Sequence, residues 1–279
     1  MNTLNLGIRA HDMEAATLQE LCDQIHSYQL TNIQLAMKKS FPSYVPSLRS
    51  LSPGIASYFG DYLSRNGIKI SILGCYVNIS SLDLSVRKEA LDAFKIHIQL
   101  AHEFRASLVG TETGSVSIGY TPDNFKEEAY LIARNSIIEL VQFAENFGVT
   151  VGIEPGINHP LYTARLAKRL VEEVQSPHLK IILDGANLIE PNRYQDSDFI
   201  IKEALELLHE HIAAIHLKDF TIENGKIKIV PVGTGLINFD PLLKYLKYDR
   251  PFMHATLEET RGNDIIPAIN YLTEKYDNL

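Results

Sequence analysis

Short runs of apolar and β-branched residues alternate along this chain with longer segments in which apolar residues recur every three or four positions. Eight of the short runs are predicted to be strands, at residues 4–9, 32–35, 69–73, 107–110, 150–153, 180–183, 213–216 and 252–257. Nearly all their residues are apolar, which is typical of parallel strands that are covered on both faces. Eight strands that alternate with helices predict an α/β fold, a single (β/α)8 TIM barrel.

The intervening segments have the period of helices. In the segment 85–104 the residues that recur at spacings of three and four are Leu91, Phe94, Ile98 and Ala101. A second helix is predicted to begin at Asp123, to run to about Phe147 and to stop at Gly148, because glycine suits the left-handed position after a helix. A third helix is predicted at 163–174, before the sixth strand, and Pro177 marks the turn between them.

No linker or low-complexity tract divides the 279 residues, so residues 1–279 are expected to form one domain. The competing architecture is an open, doubly wound sheet, which usually has a glycine-rich phosphate loop after its first strand. This chain has no such loop there. The pair Gly233 and Gly235 comes late in the sequence and lacks the third glycine of a dinucleotide site, so a tight turn explains it.

Charge and cysteine content exclude several classes of protein. The formal net charge is −8, and the charged residues are scattered along the chain. This pattern argues against the basic surface that a nucleic-acid-binding protein would have. The two cysteines, Cys22 and Cys75, are too few for a disulfide framework and suit a reducing cytoplasm. The N-terminus lacks a basic and apolar leader, and no apolar run approaches the roughly 20 residues of a membrane span. We therefore expect a cytoplasmic protein with no membrane partner.

In a (β/α)8 barrel the functional side chains project from the C-terminal ends of the strands. Four consecutive predicted strands end in a residue that can bind a metal, namely Glu154, Asp184, His216 and Glu258. Three carboxylates and one imidazole suit Mn²⁺, Mg²⁺ or Co²⁺ and do not exclude Zn²⁺. Without a cation, three buried carboxylates would repel one another, and at least one pKa would rise. The sequence therefore predicts a divalent metal site at the mouth of the barrel.

Each of these residues has an ordinary structural explanation when it is taken alone. Asp184 could cap a turn, and His216 could be a hydrogen-bonded core histidine. Glu258 competes with its neighbour Glu259 for the inward position. Their occurrence on four successive strands favours the metal site over four unrelated structural roles.

At these residues the chain resembles the xylose isomerase-like superfamily, in particular the sugar phosphate isomerase/epimerase group that includes D-tagatose 3-epimerases and hydroxypyruvate isomerases. The resemblance extends over nearly the whole chain. Each segment that carries the resemblance is a weak motif by itself, but their order and spacing together are fairly specific. The segments are LGIRAHD, ILGCYVNI, GIEPGINHP, ILDGANLI, IHLKDF, VPVGTGLINF and TLEET.

The resemblance implies that the four strand-end residues hold one divalent metal, commonly manganese, and that Glu154 and Glu258 are also the acid/base pair. A metal that chelates a ketose stabilises the cis-enediolate formed when the α carbon loses its proton. Return of a proton to the other face inverts that carbon, whereas transfer to the neighbouring carbon interconverts aldose and ketose. The expected substrate is a small keto sugar, a polyol derivative or a sugar phosphate. Members of the group often form homodimers or homotetramers.

Seven further residues are candidates for substrate binding. Many epimerases have histidine three residues after the metal aspartate, whereas this chain has Asn187, which leaves the substrate in doubt. Asn158 and His159 could bind a hydroxyl or phosphate, or could simply be solvated in a loop. The others follow strand ends and could equally form rim contacts; they are Arg9, His11, Glu112 and Lys218.

Other functions remain compatible with these residues. The same proton abstraction beside a leaving group would make the protein a dehydratase or lyase. A phosphodiesterase related to endonuclease IV would require a multi-metal cluster with more histidines and a DNA-facing surface, which this acidic chain does not suggest. A non-catalytic sugar-binding barrel could retain the same four residues.

Overall fold

The eight predicted strand runs all contain strands in the computed structural model, which describes residues 3–279. In chain order the barrel strands are β1 (Leu6–Arg9), β2 (Asn32–Leu35), β3 (Lys69–Gly74), β4 (Val109–Glu112), β5 (Val151–Glu154), β6 (Leu179–Asp184), β7 (Ile212–Leu217) and β10 (His254–Leu257). Neighbouring strands pair in parallel, and β1 pairs with β10 to close the ring. The predicted (β/α)8 TIM barrel is confirmed.

Helices surround this barrel on the outside. They are α1 (Leu18–Ser27), α2 (Met37–Ser40), α3 (Pro53–Arg65), α4 (Leu84–Leu100), α5 (Glu127–Glu145), α6 (Ala164–Val174), α7 (Ser197–Leu208), α8 (Asp240–Lys244) and α9 (Ile265–Asp277). Their starts follow local sequence: Thr163 caps α6, Asp83 caps α4, and Thr17 forms a reciprocal capping box with Glu20 at α1. Among residues 3–279, no helix has both the length and the apolar composition needed to cross a membrane.

Two apolar layers hold the barrel together. Between strands and helices lies a continuous core, in which Ile8, Ile33 and Leu183 are completely buried. Inside the barrel a smaller layer consists of Ile72, Leu108, Ile182 and Ala214. Burial of each such leucine or isoleucine side chain contributes about 1.5–3 kcal/mol. The inside of the barrel is therefore a packed core and not a pore.

The second predicted helix begins later than the sequence indicates. A short 3₁₀ turn spans Pro122–Phe125, Lys126 is extended, and α5 starts at Glu127. The side chain of the buried Asn124 causes this break, because it donates to the carbonyl of Asn158 and accepts from the amide of Val116. These contacts with other loops hold the turn apart from the helix. Gly148 has the expected left-handed φ of 63°.

The C-terminal part of the chain departs from the predictions in two places. The last barrel strand begins at His254, because Phe252 has a φ of 72° and 70% of its surface is exposed. After β7 the chain forms an unpredicted antiparallel hairpin, β8 (Asp219–Glu223) and β9 (Lys226–Val230). Asn224 and Gly225 both have positive φ in its two-residue turn, the geometry that suits the twist of a tight hairpin.

Candidate metal centre

The four strand-end residues meet at the C-terminal mouth of the barrel. Each offers one ligand atom, and these atoms lie within 4.8 Å of one another. Strand register contributes to this meeting, since Asp184 on β6 is the direct partner of His216 on β7. At most 6% of any of the four residues is exposed. The cluster could therefore hold one ion; its members are Glu154, Asp184, His216 and Glu258.

The free atoms of the cluster fit a divalent cation. Among residues 3–279, three of them are buried without a hydrogen-bond partner, namely Asp184 Oδ2, His216 Nδ1 and Glu258 Oε2, although Lys218 Nζ approaches Asp184 Oδ2 to 2.9 Å. The imidazole Nδ1 is only 2.8 Å from Glu258 Oε2 and 3.3 Å from Glu154 Oε2, so these atoms approach one another without forming aligned bonds. A mixed set of one nitrogen and several oxygens suits Mn²⁺, Mg²⁺, Co²⁺ or Zn²⁺.

Asp184 uses its two oxygens differently. Oδ1 accepts hydrogen bonds from the backbone amides of Ala186 and Asn187, at 2.8 and 3.2 Å, which caps the turn after β6. Oδ2 remains directed into the cluster. The turn-capping role considered from the sequence therefore coexists with the position of a metal ligand, because the two roles require different oxygens.

His216 is oriented by a residue that the sequence analysis missed. Its Nε2 lies 2.6 Å from Oε1 of Gln34 on β2, and both residues are buried. An amide oxygen can only accept, so Nε2 carries a proton, and Nδ1 is the ring nitrogen that faces the two glutamates. The Gln34 amide nitrogen donates to the hydroxyl of Tyr76. In the sequence, this role of Gln34 is indicated by a polar residue in a strand that is predicted to be buried.

Asn187 and Lys218 lie beside the cluster. The Asn187 amide nitrogen donates to Glu154 Oε1 at 2.7 Å, and its oxygen accepts from Lys218 Nζ at 2.9 Å. Lys218 Nζ is also 2.9 Å from Asp184 Oδ2 and from Glu258 Oε1. Two of the predicted substrate-binding residues thus contact the carboxylates directly.

Arg9 and His11 lie near Glu258. Arg9 is buried and donates from Nη1 to Glu258 Oε1 at 2.8 Å, so its guanidinium is engaged by the protein. The half-buried His11 has an Nδ1 atom that forms no hydrogen bond within the described part of the chain. Burial and the charge of Arg9 lower the pKa of His11 to about 4, so its ring is neutral at pH 7. Glu259 points away from the cluster, with 36% of its side chain exposed.

The remaining predicted residues lie on the side of β4 and β5. Glu112 is the strand partner of Glu154, and its Oε2 is 3.7 Å from Nε2 of His159. Nδ1 of His159 contacts the carbonyl of Gly114 at 2.8 Å. Asn158 is exposed, and its carbonyl accepts a hydrogen bond from Asn124, so it lies outside the buried cluster.

The two glutamates of the cluster have opposite acid–base tendencies. Burial raises the pKa of Glu154, and the charge of His216 only partly offsets this effect. Burial would also raise the pKa of Glu258, but His216, Lys218 and Arg9 hold that pKa well below its ordinary value. Burial opposes protonation of His216, whereas both glutamates raise its pKa to about 10. One carboxyl group therefore tends to take up a proton and the other to stay ionised.

Gly233 and Gly235 belong to a carboxylate cradle rather than to a phosphate loop. The buried Asp219 accepts hydrogen bonds from the amides of Phe220, Gly233, Gly235 and Ile237, at 2.9 to 3.0 Å. A Cβ atom on Gly235 would lie 2.3 Å from Asp219 Oδ1, so the loop can approach only with glycine there. Because Asp219 follows Lys218 directly, this cradle anchors the chain beside the cluster.

These features define a barrel with a buried mixed-ligand centre at its mouth. A family profile described as xylose isomerase-like TIM barrel matches residues 22–274, and the chain belongs to that family. The superfamily resemblance seen in the sequence is thereby confirmed. No curated protein sequence matches the chain.

Solved structures with the same fold cover almost the whole chain. A D-tagatose 3-epimerase-like protein aligns with a TM-score of 0.77 and 19% identity, covering 100% of this chain and 98% of its own. The IolI protein, solved with a zinc atom, has a TM-score of 0.72, 18% identity and coverages of 100% and 96%. A probable 3-DHS dehydratase, AsbF from Bacillus anthracis, has a TM-score of 0.72, 16% identity and coverages of 99% and 98%. At these identities the similarity establishes the fold alone.

Proposed function

We propose that this protein is a divalent-metal-dependent isomerase or epimerase of a small keto sugar, a polyol derivative or a sugar phosphate. The observation that carries the proposal is the approach of His216 Nδ1 to an oxygen of Glu154 and an oxygen of Glu258, at 3.3 and 2.8 Å. Two carboxylates within reach of one site support an acid/base pair. Glu154, Asp184, His216 and Glu258 would hold the ion, with Mn²⁺ as the first choice.

A cation in this cluster would act as a Lewis acid on the oxygens of a ketose and make the neighbouring C–H more acidic. The chain supplies the proton transfer. Glu154 and Glu258 are the proposed acid/base pair, and their pKa values shift in opposite directions, so that Glu154 tends to hold a proton and Glu258 to stay ionised beside Lys218 and Arg9. Lys218 and Asn187 fix the orientation of both carboxylates. Two acid–base groups acting on different faces would invert a carbon.

Proton exchange with solvent provides the test. The wild-type chain is incubated in D₂O with ketoses and ketose phosphates, with Mn²⁺ and then with EDTA, and deuterium at the α carbon is measured. We expect exchange with the metal and none after its removal. The substitutions Glu154→Gln and Glu258→Gln should each lower the exchange rate at least about 100-fold, which is the size of effect that general acid–base catalysis typically has.

Because both glutamates are proposed ligands, metal content must be measured in the same samples. Glu139→Gln is the matched control, since Glu139 pairs with Lys95 on the outer surface. Full exchange by both cluster variants at full metal occupancy would exclude the proposed acid/base pair. Loss of exchange together with loss of metal would assign the residues to metal binding only.

A metal-dependent dehydratase is the second candidate, because Glu112 and His159 form an additional acid–base pair. Burial opposes protonation of His159, but Glu112 raises its pKa, so the imidazolium could protonate a departing hydroxide. Proteins of this fold carry names of both kinds, so the fold does not choose between them. Formation of an absorbing enone from a 3-hydroxy ketone would favour the dehydratase. Tight, metal-dependent sugar binding without exchange or water loss would indicate a binding protein.

A further inference from the structure

The guanidinium group of Arg9 contacts three carboxylates. Nη1 donates to Glu258 Oε1 at 2.8 Å, and Nη2 lies 2.8 Å from Glu259 Oε1. Nε and Nη2 also donate to the two oxygens of Asp12, at 2.7 and 3.0 Å. The bidentate bond to Asp12 uses the planar fork of the arginine and fixes its direction. Arg9 therefore meets Glu258 in an orientation that Asp12 sets.

Asp12 also binds the backbone at the end of the last barrel strand. Its Oδ2 accepts from the amide of Glu259 at 3.1 Å, and its Oδ1 accepts from Nε of Arg261 at 2.8 Å. Glu259 has a φ of 54°, a left-handed conformation that non-glycine residues adopt only where surrounding contacts maintain it. This turn separates the two consecutive glutamates, so that Glu258 faces the cluster and Glu259 faces the rim.

We propose that Asp12 is a positioning residue of the metal centre, which presents Glu258 to the cation by holding both the Arg9 guanidinium and the Glu259 amide. The inference rests on the metal site of the proposed function. It assigns a role in that site to Asp12, a residue that is not itself one of the four ligands. The Asp12 side chain is completely buried, and its acceptor bonds come from Arg9, Glu259 and Arg261. Its role is to act through these neighbours on Glu258.

The chemistry explains why a carboxylate is required at this position. If Asp12 lost its charge, Arg9 would keep two anionic partners within residues 3–279, Glu258 and Glu259. It would then compete more strongly with a cation for Glu258, while the Glu259 turn would lose an anionic acceptor. Residues that orient metal ligands in this way typically change metal affinity by about 10- to 100-fold when they are replaced.

The test is Mn²⁺ binding by the full chain, measured by competition with a chelating dye, in wild type and Asp12→Asn. We expect the variant to bind Mn²⁺ at least about 10-fold more weakly. Asp61→Asn is the matched control, because it also removes a carboxylate from an arginine, at 2.6 Å from Arg105, away from the mouth. The visible absorption of the Co²⁺-loaded protein provides a second readout, since it reports the coordination of the ion.

Asp12→Asn should change the Co²⁺ spectrum, and Asp61→Asn should not. If Asp12 only stabilised the fold, Asp12→Asn would lower the melting temperature of the metal-free protein but retain the Mn²⁺ affinity and the Co²⁺ spectrum, and the proposal would be overturned. If Asp12→Asn does not fold, Arg9→Lys decides, because lysine keeps the charge without the fork. Wild-type Mn²⁺ affinity in that variant would also overturn the proposal.

These readouts need no substrate. Absence of deuterium exchange in a wild-type protein that binds Mn²⁺ would contradict the proposed reaction and leave the role of Asp12 standing. Absence of Mn²⁺ binding by the wild type would overturn both.

Discussion

Gln34 and His216 are 182 positions apart in the sequence, and Nε2 of His216 lies 2.6 Å from the side-chain oxygen of Gln34. This contact fixes the tautomer of the imidazole and therefore decides that Nδ1 is the atom available to a metal. A change at Gln34 consequently tests the assignment of the centre without altering any proposed ligand.

We expect Gln34→Met to weaken Mn²⁺ binding by about 10- to 100-fold, because the ring loses its orienting acceptor. Isothermal titration calorimetry checks this expectation. Gln142→Met, on the exposed surface of α5, is the control and should bind as the wild type does. Unchanged affinity in Gln34→Met would mean that His216 does not depend on this contact.

Gly235→Ala should destabilise the loop that holds Asp219. The new Cβ would lie 2.3 Å from Asp219 Oδ1 and 2.4 Å from the carbonyl of Phe220, and neither atom can move without breaking the cradle. Overpacking of this kind costs about 1–3 kcal/mol. Urea denaturation measures the change. Gly54→Ala is the control, because its Cβ would have no neighbour closer than 3.9 Å within α3, and it should be neutral or slightly stabilising.

Stability should fall as the pH decreases from about 6.5 to about 4, partly because of His97. This residue is completely buried, its Nδ1 contacts the carbonyl of Ala93, and its Nε2 has no hydrogen-bond partner among residues 3–279. Burial lowers the pKa of His97 from 6.5 to about 4, so across that window the unfolded chain binds a proton that the folded chain does not. The folded state therefore loses stability relative to the unfolded state as the pH falls, by up to about 3 kcal/mol.

His97→Leu should remove this part of the acid sensitivity. Denaturation of the variant and the wild type at pH 7.5 and 4.5 gives the comparison, and the variant should lose less free energy of unfolding between the two values. An equal loss in both proteins would show that His97 does not contribute. Above pH 6.5 the histidine is neutral in both states, so its contribution does not vary there.

Lys39 lies close to Tyr76, which contacts Gln34, and we propose it as a contact for the phosphate group if the substrate is a sugar phosphate. Its Nζ lies 4.4 Å from the ring centroid of Tyr76, whose hydroxyl accepts from Gln34 beside the cluster, and among residues 3–279 it forms no ion pair. We expect Lys39→Gln to bind ketose phosphates at least about fivefold more weakly, in line with the loss of one charge-assisted contact. The neighbouring Lys38→Gln is the control. Equal binding of sugars and sugar phosphates by the wild type would contradict this prediction.

Much of the fold could be predicted because its signals are local. Buried parallel strands are apolar throughout, and helices have a 3.6-residue period, so both patterns are visible in short windows. The barrel rule then located Glu154, Asp184, His216 and Glu258 together, since the C-terminal ends of all strands meet at one mouth. The start of the helix predicted at Asp123 was wrong, because the contacts of Asn124 with distant loops override its local preference and α5 begins at Glu127.

The sequence by itself therefore determined the barrel and the four residues at its mouth, because strand periodicity and strand ends are properties of neighbouring positions. Only the tertiary structure decided how those residues are held. The side chain of Gln34 contacts His216 across the barrel, and Asp12 connects the end of the first strand to the end of the last. Asp219 accepts hydrogen bonds from the amides of Gly233 and Gly235. These partners are far apart in the chain, and their contacts arise from barrel closure and strand register, which no local pattern contains.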